Sequence, residues 1–123
     1  MATNITYNPG DRLNVVCSHP ASPTTGAPVR YGEMTGIALT DEGEGGNIST
    51  ETTVDFGPFV ANLSVKGIDG SGNSAVAVGD KLYYTDADTP PISKKSTGRF
   101  FGYALGAVTS SGTATVAVKH APM

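Results

Sequence analysis

The sequence predicts an all-β protein, a small single-domain β-barrel or sandwich, on three observations. Sixteen Gly and eight Pro are spread along the 123 residues, so the longest stretches without either are ten residues, 47–56 and 80–89. A typical helix needs about 11–12 residues, and neither stretch has helical apolar spacing. Val, Ile and Thr together number 31, and β-branched side chains suit a pleated surface. Segments 74–78 and 113–119 show the side-chain alternation that is typical of strands.

Nine short segments fit this pattern, and turn residues separate them. Gly-rich or Pro-rich connections are expected at 43–46, 69–73, 89–91 and 110–112. Short strands at regular spacing are typical of barrels and sandwiches. The predicted strands are at about 11–17, 28–31, 34–40, 47–56, 59–66, 74–78, 81–85, 99–109 and 113–119.

The first nine residues differ from the rest and are predicted to form an N-terminal arm before a β domain at 10–123. They are polar and end in the turn sequence Asn8-Pro9-Gly10. A frayed terminus is the simpler interpretation, and the sequence alone favours it. The alternative is an extended arm that orders on a neighbour, with Ile5 and Tyr7 as anchors on one face.

Two short motifs each occur twice, once in each half of the chain. The copies of Gly-Asp-basic-Leu are 69 residues apart, and those of Gly-x-Ala-Leu are 66 residues apart. Two related halves, about 10–56 and 79–119, would produce this pattern, and so would coincidence in a Gly- and Ala-rich chain. The small or turn-forming residues of the motifs, predicted to serve turns and packing, are Gly10, Asp11, Gly36, Ala38, Gly79, Asp80, Gly102 and Ala104.

Strand periodicity makes a prediction for the faces of Gly-x-Ala-Leu. Gly and Ala share one face, and the bulky residues between them share the other. The bulky pairs, Ile37 with Leu39 and Tyr103 with Leu105, are expected to fill the core. The bare face then lets a neighbouring strand, loop or subunit come close.

Composition excludes several classes of function. A net charge of −3 and a pI near 5.1 give no basic face for nucleic acid. No apolar run approaches the ~18 residues of a membrane span, and no leader is evident, so synthesis in the cytoplasm is expected. The single Cys17 excludes an intrachain disulfide.

Catalytic and metal motifs are absent, and no cofactor is predicted. Cys17 and His19 could be a nucleophile pair, but a small buried thiol beside an edge histidine is the favoured interpretation. The oxygen-rich segments 69–73 and 84–88 resemble calcium loops without the glutamate that an EF-hand requires. Asp and Asn bonding to their own turns are favoured there.

Two adjacent aromatic pairs, Tyr83-Tyr84 and Phe100-Phe101, are each expected to have one member facing in and one facing out. Tyr84 and Phe101 are predicted to be the outward members and are candidate contacts with a partner protein or another subunit. The acidic charge balance favours a protein–protein contact over base stacking.

Ordered motifs over nearly the whole chain resemble the small capsid cement, or head decoration, proteins of tailed phages, a family long filed as a domain of unknown function. The segments that carry the resemblance are Gly10-Asp11-x-Leu13, 25–29, Gly32, 36–41, 77–83, 102–105 and 111–118. The chain departs from the pattern at 55–74, where Gly57-Pro58 and 69–73 look like insertions.

The resemblance implies a β-rich, non-enzymatic virion protein on the outer capsid surface. Its partners would be the major capsid protein and further copies of itself, with a trimer favoured, and neither nucleic acid nor a membrane. An alternative is a carbohydrate-binding or adhesin-like module that uses Tyr84, Phe101 and the Asp86/Asp88 loop. A small hydrolase using Cys17 and His19 is a third.

Overall fold

A computed structural model describes residues 12–121 and contains no helix among them, which confirms the all-β prediction. The strands are β1 Arg12–Val15, β2 Pro28–Tyr31, β3 Met34–Ala38, β4 Thr52–Asp55, β5 Val60–Lys66, β6 Ile68–Asp69, β7 Gly72–Asn73, β8 Lys81–Tyr84, β9 Ile92–Ser93, β10 Arg99–Ala104 and β11 Thr113–His120.

The second half of the chain forms a closed five-stranded barrel in the order β10-β11-β5-β9-β8. Its pairings are antiparallel except β5 with β9, which is parallel. Alternate side chains of these strands point inward. The buried barrel core consists of Leu63, Val65, Val76, Leu82, Tyr84, Ile92, Phe101, Ala104, Val108 and Val118.

The first half forms an open four-stranded antiparallel sheet in the order β1-β4-β3-β2. β2 and β3 are joined by Gly32-Glu33, where Gly32 has a φ of +62°, as a two-residue hairpin turn requires. A smaller core lies against this sheet: Val15, Val29, Ala38, Val54 and Phe56.

Three strand predictions need correction. The strand predicted at 99–109 ends at Ala104, and of the residues after it only Val108 forms a β-bridge. Segment 74–78 is not a strand: only Val76 pairs, in a single bridge to Val108. The segment turns instead, because the carboxylate of Asp80 accepts the backbone N–H of Ala77 at 2.8 Å. The strand predicted at 47–56 begins only at Thr52, since turns occupy the residues before it. β9 was not predicted, as it has two residues and follows Pro90-Pro91.

The prediction that the bulky face of Gly-x-Ala-Leu fills the core is wrong, whereas the predicted close approach of a neighbouring strand to the bare face is present. Ala38 and Ala104 are buried, whereas Leu39 and Leu105 are 37% and 44% exposed. The bare face is the buried one because a neighbouring backbone lies directly against it. A Cβ built on Gly36 would lie 2.5 Å from the carbonyl oxygen of Asp55.

The barrel copy of the motif shows the same close approach, where a Cβ on Gly102 would overlap the carbonyl group of Lys119. The bulky face of the motif is only partly buried. Ile37 is half-buried against the barrel core, and Tyr103 is half-buried on the outside.

The two motif-bearing halves have different topologies. In the sheet, β4 separates β1 from β3, whereas in the barrel β8 and β10 are direct neighbours. The hypothesis of two related halves therefore stays a prediction from sequence. Gly79 has a φ of +92° in the turn before β8, and Gly10 and Asp11 lie outside the described residues, as does the N-terminal arm.

Candidate interaction surface

Polar contacts join the sheet to the barrel, and the first of them lies at a β-bulge in β10. The register of β10 against β8 shifts between Phe100 and Gly102. Such a bulge leaves backbone groups out of the strand ladder. The carbonyl of Phe100 accepts the hydroxyl of Thr35, on β3, at 3.0 Å. The sheet is thus hydrogen-bonded to the barrel at the β-bulge of β10.

His120 lies beneath this contact with 1% of its surface exposed. Its Nδ1 is 3.0 Å from the carbonyl oxygen of Gly57, and its Nε2 is 2.8 Å from that of Thr35. The Phe59 ring stacks on the imidazole at a centroid distance of 4.6 Å. Burial lowers the pKa of His120 below its ordinary 6.5, against the opposing effect of the two carbonyls.

A bidentate ion pair joins the two halves elsewhere. Arg30 on β2 donates through Nε at 2.9 Å and Nη2 at 2.7 Å to the two carboxylate oxygens of Asp86. This contact lowers the pKa of Asp86. The turn interpretation of the acidic segments is right for Asp69, which accepts the N–H of Ser71, and wrong for Asp86.

Tyr84 and Phe101 are in the barrel core, at 1% and 0% exposed, which corrects their assignment as surface contacts. The Tyr84 hydroxyl is 2.6 Å from Nδ1 of His19, and burial raises the pKa of the tyrosine. Each aromatic pair does have one inward and one outward member, as expected, but the outward members are Tyr83 and Phe100.

The outward aromatic residues form a cluster on the outside of the barrel. The Phe100 ring meets Tyr83 and Tyr103 edge to face at 5.8 and 5.6 Å. Strand register places Lys81 and Lys119 on either side of Tyr103, and Val60 beyond Lys119. We call this surface the barrel wall: Val60, Lys81, Tyr83, Phe100, Tyr103 and Lys119.

A cleft of about 660 Å³ separates the tip of the β2–β3 hairpin from the segment before β10. Phe56, Thr35 and His120 are among its lining residues. At its rim Arg99 donates through Nε to the Glu33 carboxylate at 2.7 Å. Met34, which also lines the cleft, is 46% exposed.

The model of a known family, described as phage cement protein, matches residues 7–120. The chain belongs to the phage cement protein family. This confirms the resemblance inferred from the motifs and gives the protein a structural role in the phage capsid. No curated protein and no solved structure matches the chain significantly.

Membership of a structural cement family suggests a non-enzymatic protein, and the geometry around Cys17 agrees with that suggestion. Cys17 is half-buried against the sheet core, and burial raises its pKa, so the thiol is protonated near pH 7. Residues 12–121 hold no group of three His, Cys, Asp or Glu side chains that could bind a metal ion. In the same range no helix is long and apolar enough to cross a membrane.

The residues proposed for a carbohydrate-binding module are engaged elsewhere. Tyr84 and Phe101 are buried, Asp86 is bound by Arg30, and Asp88 lies 3.5 Å from the Lys95 ammonium. Sequence reasoning found the aromatic pairs but not which member is exposed. In β10 the bulge changes the parity of the strand, whereas β8 alternates regularly and Tyr84 shares the inward face of Leu82. Ile5 and Tyr7 lie outside the described residues.

Proposed function

We propose that this cement protein binds the outer surface of a tailed-phage head and stabilises the shell. Its partner is the major capsid protein, and it acts as a homo-oligomer, with a trimer favoured. It is made in the host cytoplasm and then lies on the outside of the virion. The observation that carries the proposal is the family match, which spans the described fold from end to end.

The surface of the molecule supports a binding role. Large apolar side chains are exposed on both halves: Val16, Tyr31, Met34, Leu39, Ile48, Val60, Val78 and Leu105. Each is a small apolar contact by itself. A capsid presents many equivalent sites in a lattice, and multivalency converts modest contacts into strong attachment.

The N-terminal segment is proposed as part of the contact, with Ile5 and Tyr7 as its apolar anchors. The described chain begins at Arg12, which pairs with Asp55 at one end of the sheet. Phe56, the next residue after Asp55, lines the cleft. The segment is thus attached close to the exposed apolar rim at Met34.

Addition of purified protein to expanded heads that lack it tests the proposal. Wild-type protein is expected to co-sediment with the heads and to raise the temperature at which they release DNA. Ile5→Ser/Tyr7→Ser is expected to weaken co-sedimentation. Thr3→Ser/Thr6→Ser, in the same segment, is the matched control and should bind as the wild type does.

Heads that neither retain the wild-type protein nor gain heat resistance would contradict the proposed function. Equal binding by the Ile5/Tyr7 variant and its control would remove the N-terminal segment from the contact and leave the capsid role intact.

A further inference from the structure

Acidic and basic side chains are segregated between the two halves of the molecule. Residues 12–56 contain six acidic and two basic residues, whereas residues 57–121 contain four acidic and six basic ones. The five barrel strands contain no Asp or Glu at all. A chain with net charge −3 therefore has a barrel whose strands carry only positive charge.

Positive charge on the barrel wall is not neutralised within the described chain. The ion pairs of residues 12–121 involve Arg30, Lys94, Lys95 and Arg99, and none involves Lys81 or Lys119. These two lysines are exposed on either side of Tyr103. Val60, next to Lys119 in register, is 61% exposed. The wall is thus both cationic and apolar.

The segment between β3 and β4, residues 39–51, has the complementary character. It contains Asp41, Glu42, Glu44 and Glu51 and no basic residue. It also exposes Leu39 and Ile48, at 37% and 65%. We call it the acidic segment.

Local hydrogen bonds order the acidic segment. The side-chain amide of Asn47 donates to the Glu44 carbonyl at 2.8 Å and to the Thr53 hydroxyl at 3.0 Å. Asp41 accepts the backbone N–H of Thr25 at 2.7 Å. Residues 12–121 contain no ion pair between this segment and a basic side chain. The acidic segment is therefore an ordered acidic surface that can bind a basic surface of another molecule.

We propose that the barrel wall of one copy binds the acidic segment of a second copy. The lysines of the barrel wall complement the carboxylates of the acidic segment. Both surfaces also expose apolar side chains that can pack against each other. Because the two surfaces differ and lie on different halves of the molecule, the contact is heterologous and can close into a ring such as a trimer. This inference rests on the proposed function, since it names the surfaces through which copies associate on the head.

Charge-swapped variants test the contact by sedimentation velocity of the full chain. Lys81→Glu/Lys119→Glu places acid against acid, and Glu42→Lys/Glu44→Lys places base against base. Each is expected to weaken self-association at least about tenfold, since like charges brought together across an interface strongly disfavour it. The quadruple variant reverses both surfaces and is expected to recover most of the wild-type association.

The single variant Lys119→Glu is measured beside the double variant, and Lys66→Glu is its matched control, because it makes the same charge change on the same barrel. Lys66 and Val60 are six residues apart on β5, roughly 20 Å at ~3.4 Å per residue, and Val60 is the neighbour of Lys119. Lys66→Glu is expected to associate as the wild type does. Circular dichroism and thermal melting check that every variant is folded.

Several results would overturn the proposed contact: a wild-type protein that stays monomeric at low salt, reversals that leave association unchanged, or a folded quadruple variant that does not recover. The capsid role has a separate readout. If the wild type fails to bind heads while the swaps behave as expected, the capsid function is lost and the contact between copies stands. If the wild type binds heads and the swaps have no effect, only the contact is lost.

Discussion

The sheet of residues 12–55 and the barrel of residues 60–120 differ in closure, in core size and in charge. The barrel has no free edge and a cluster of ten buried apolar residues, whereas the sheet is open and its cluster has five. The sheet half is acidic, and the barrel strands contain no acid. Apolar burial is the main favourable contribution to folding, so the barrel should supply most of the free energy of unfolding.

The largest effect is expected from emptying the barrel core. Phe101 is fully buried and packs against Phe59 and His120, so Phe101→Ala should lower the free energy of unfolding by about 3–5 kcal/mol. Phe56→Ala makes the same change in the sheet core and should cost less than Phe101→Ala, because the Phe56 ring is 9% exposed and borders the cleft. Urea unfolding of the two variants measures both values. An equal or larger loss for Phe56→Ala would mean that the barrel is not the more stable half.

A smaller effect is expected at the two motif glycines. The Cβ of Gly102→Ala would meet only backbone atoms of Lys119 and His120, which cannot move without opening the barrel, so a loss of about 3 kcal/mol is expected. At Gly36→Ala, two of the three nearest groups are the side chains of Val54 and Phe56, and about 1–2 kcal/mol is expected.

Gly70→Ala is the control for both glycine variants, since a Cβ there would meet nothing within 4 Å. Denaturant midpoints of the three variants should follow the order Gly70, Gly36, Gly102, from the least to the most destabilised. A Gly102→Ala variant as stable as the control would refute the close approach of β10 and β11.

The smallest effect concerns the junction between the halves. The folded pKa of His120 is below 6.5, so below pH 6.5 the unfolded chain binds a proton that the folded protein does not. The contribution of His120 to the free energy of unfolding is therefore fully present above pH 6.5 and is lost as the pH falls towards the folded pKa of His120.

Thermal melting between pH 7.5 and 5.5 measures this loss. Asp55 raises and Lys119 lowers the pKa of His120, and both effects are weaker than burial. Asp55 and Lys119 are unchanged in the variant, so they are common to both proteins. His120→Gln should be less stable at pH 7.5 but should show a shallower decline with pH. An identical decline in wild type and variant would assign the pH dependence to other groups.

The comparison also shows what the sequence could predict. Alternation in β11 and the β-branched composition identified the barrel strands, because a side chain in a regular strand faces in or out by parity. The bulge beside Phe101 placed that residue in the core, which parity along a regular strand does not predict. The wrong assignment of Tyr84 has no such cause, because β8 is regular and alternation with the buried Leu82 indicates that Tyr84 faces inward. The short β9 and the turn at 74–78 depend on contacts with distant strands, and local sequence does not encode such contacts.

The candidate site was predictable in kind but not in position. Motif order identified the cement family, and the family match confirms it. The barrel wall could not be found from sequence, since it depends on the strand register that brings Lys81, Tyr103 and Lys119 side by side. Charge segregation is visible in the sequence only once the two halves have been defined.

Closure of the barrel also bears on aggregation. The segment 113–118 is apolar or small, rich in β-branched residues, uncharged and free of proline, which is the composition of segments that stack into cross-β fibrils. In the fold β11 is paired on both sides, with β10 and β5. No hydrogen-bonding edge of this strand is offered to another chain while the barrel stays closed. The same closure that completes the core therefore keeps this fibril-prone segment from pairing with another chain, and partial opening of the barrel would expose it.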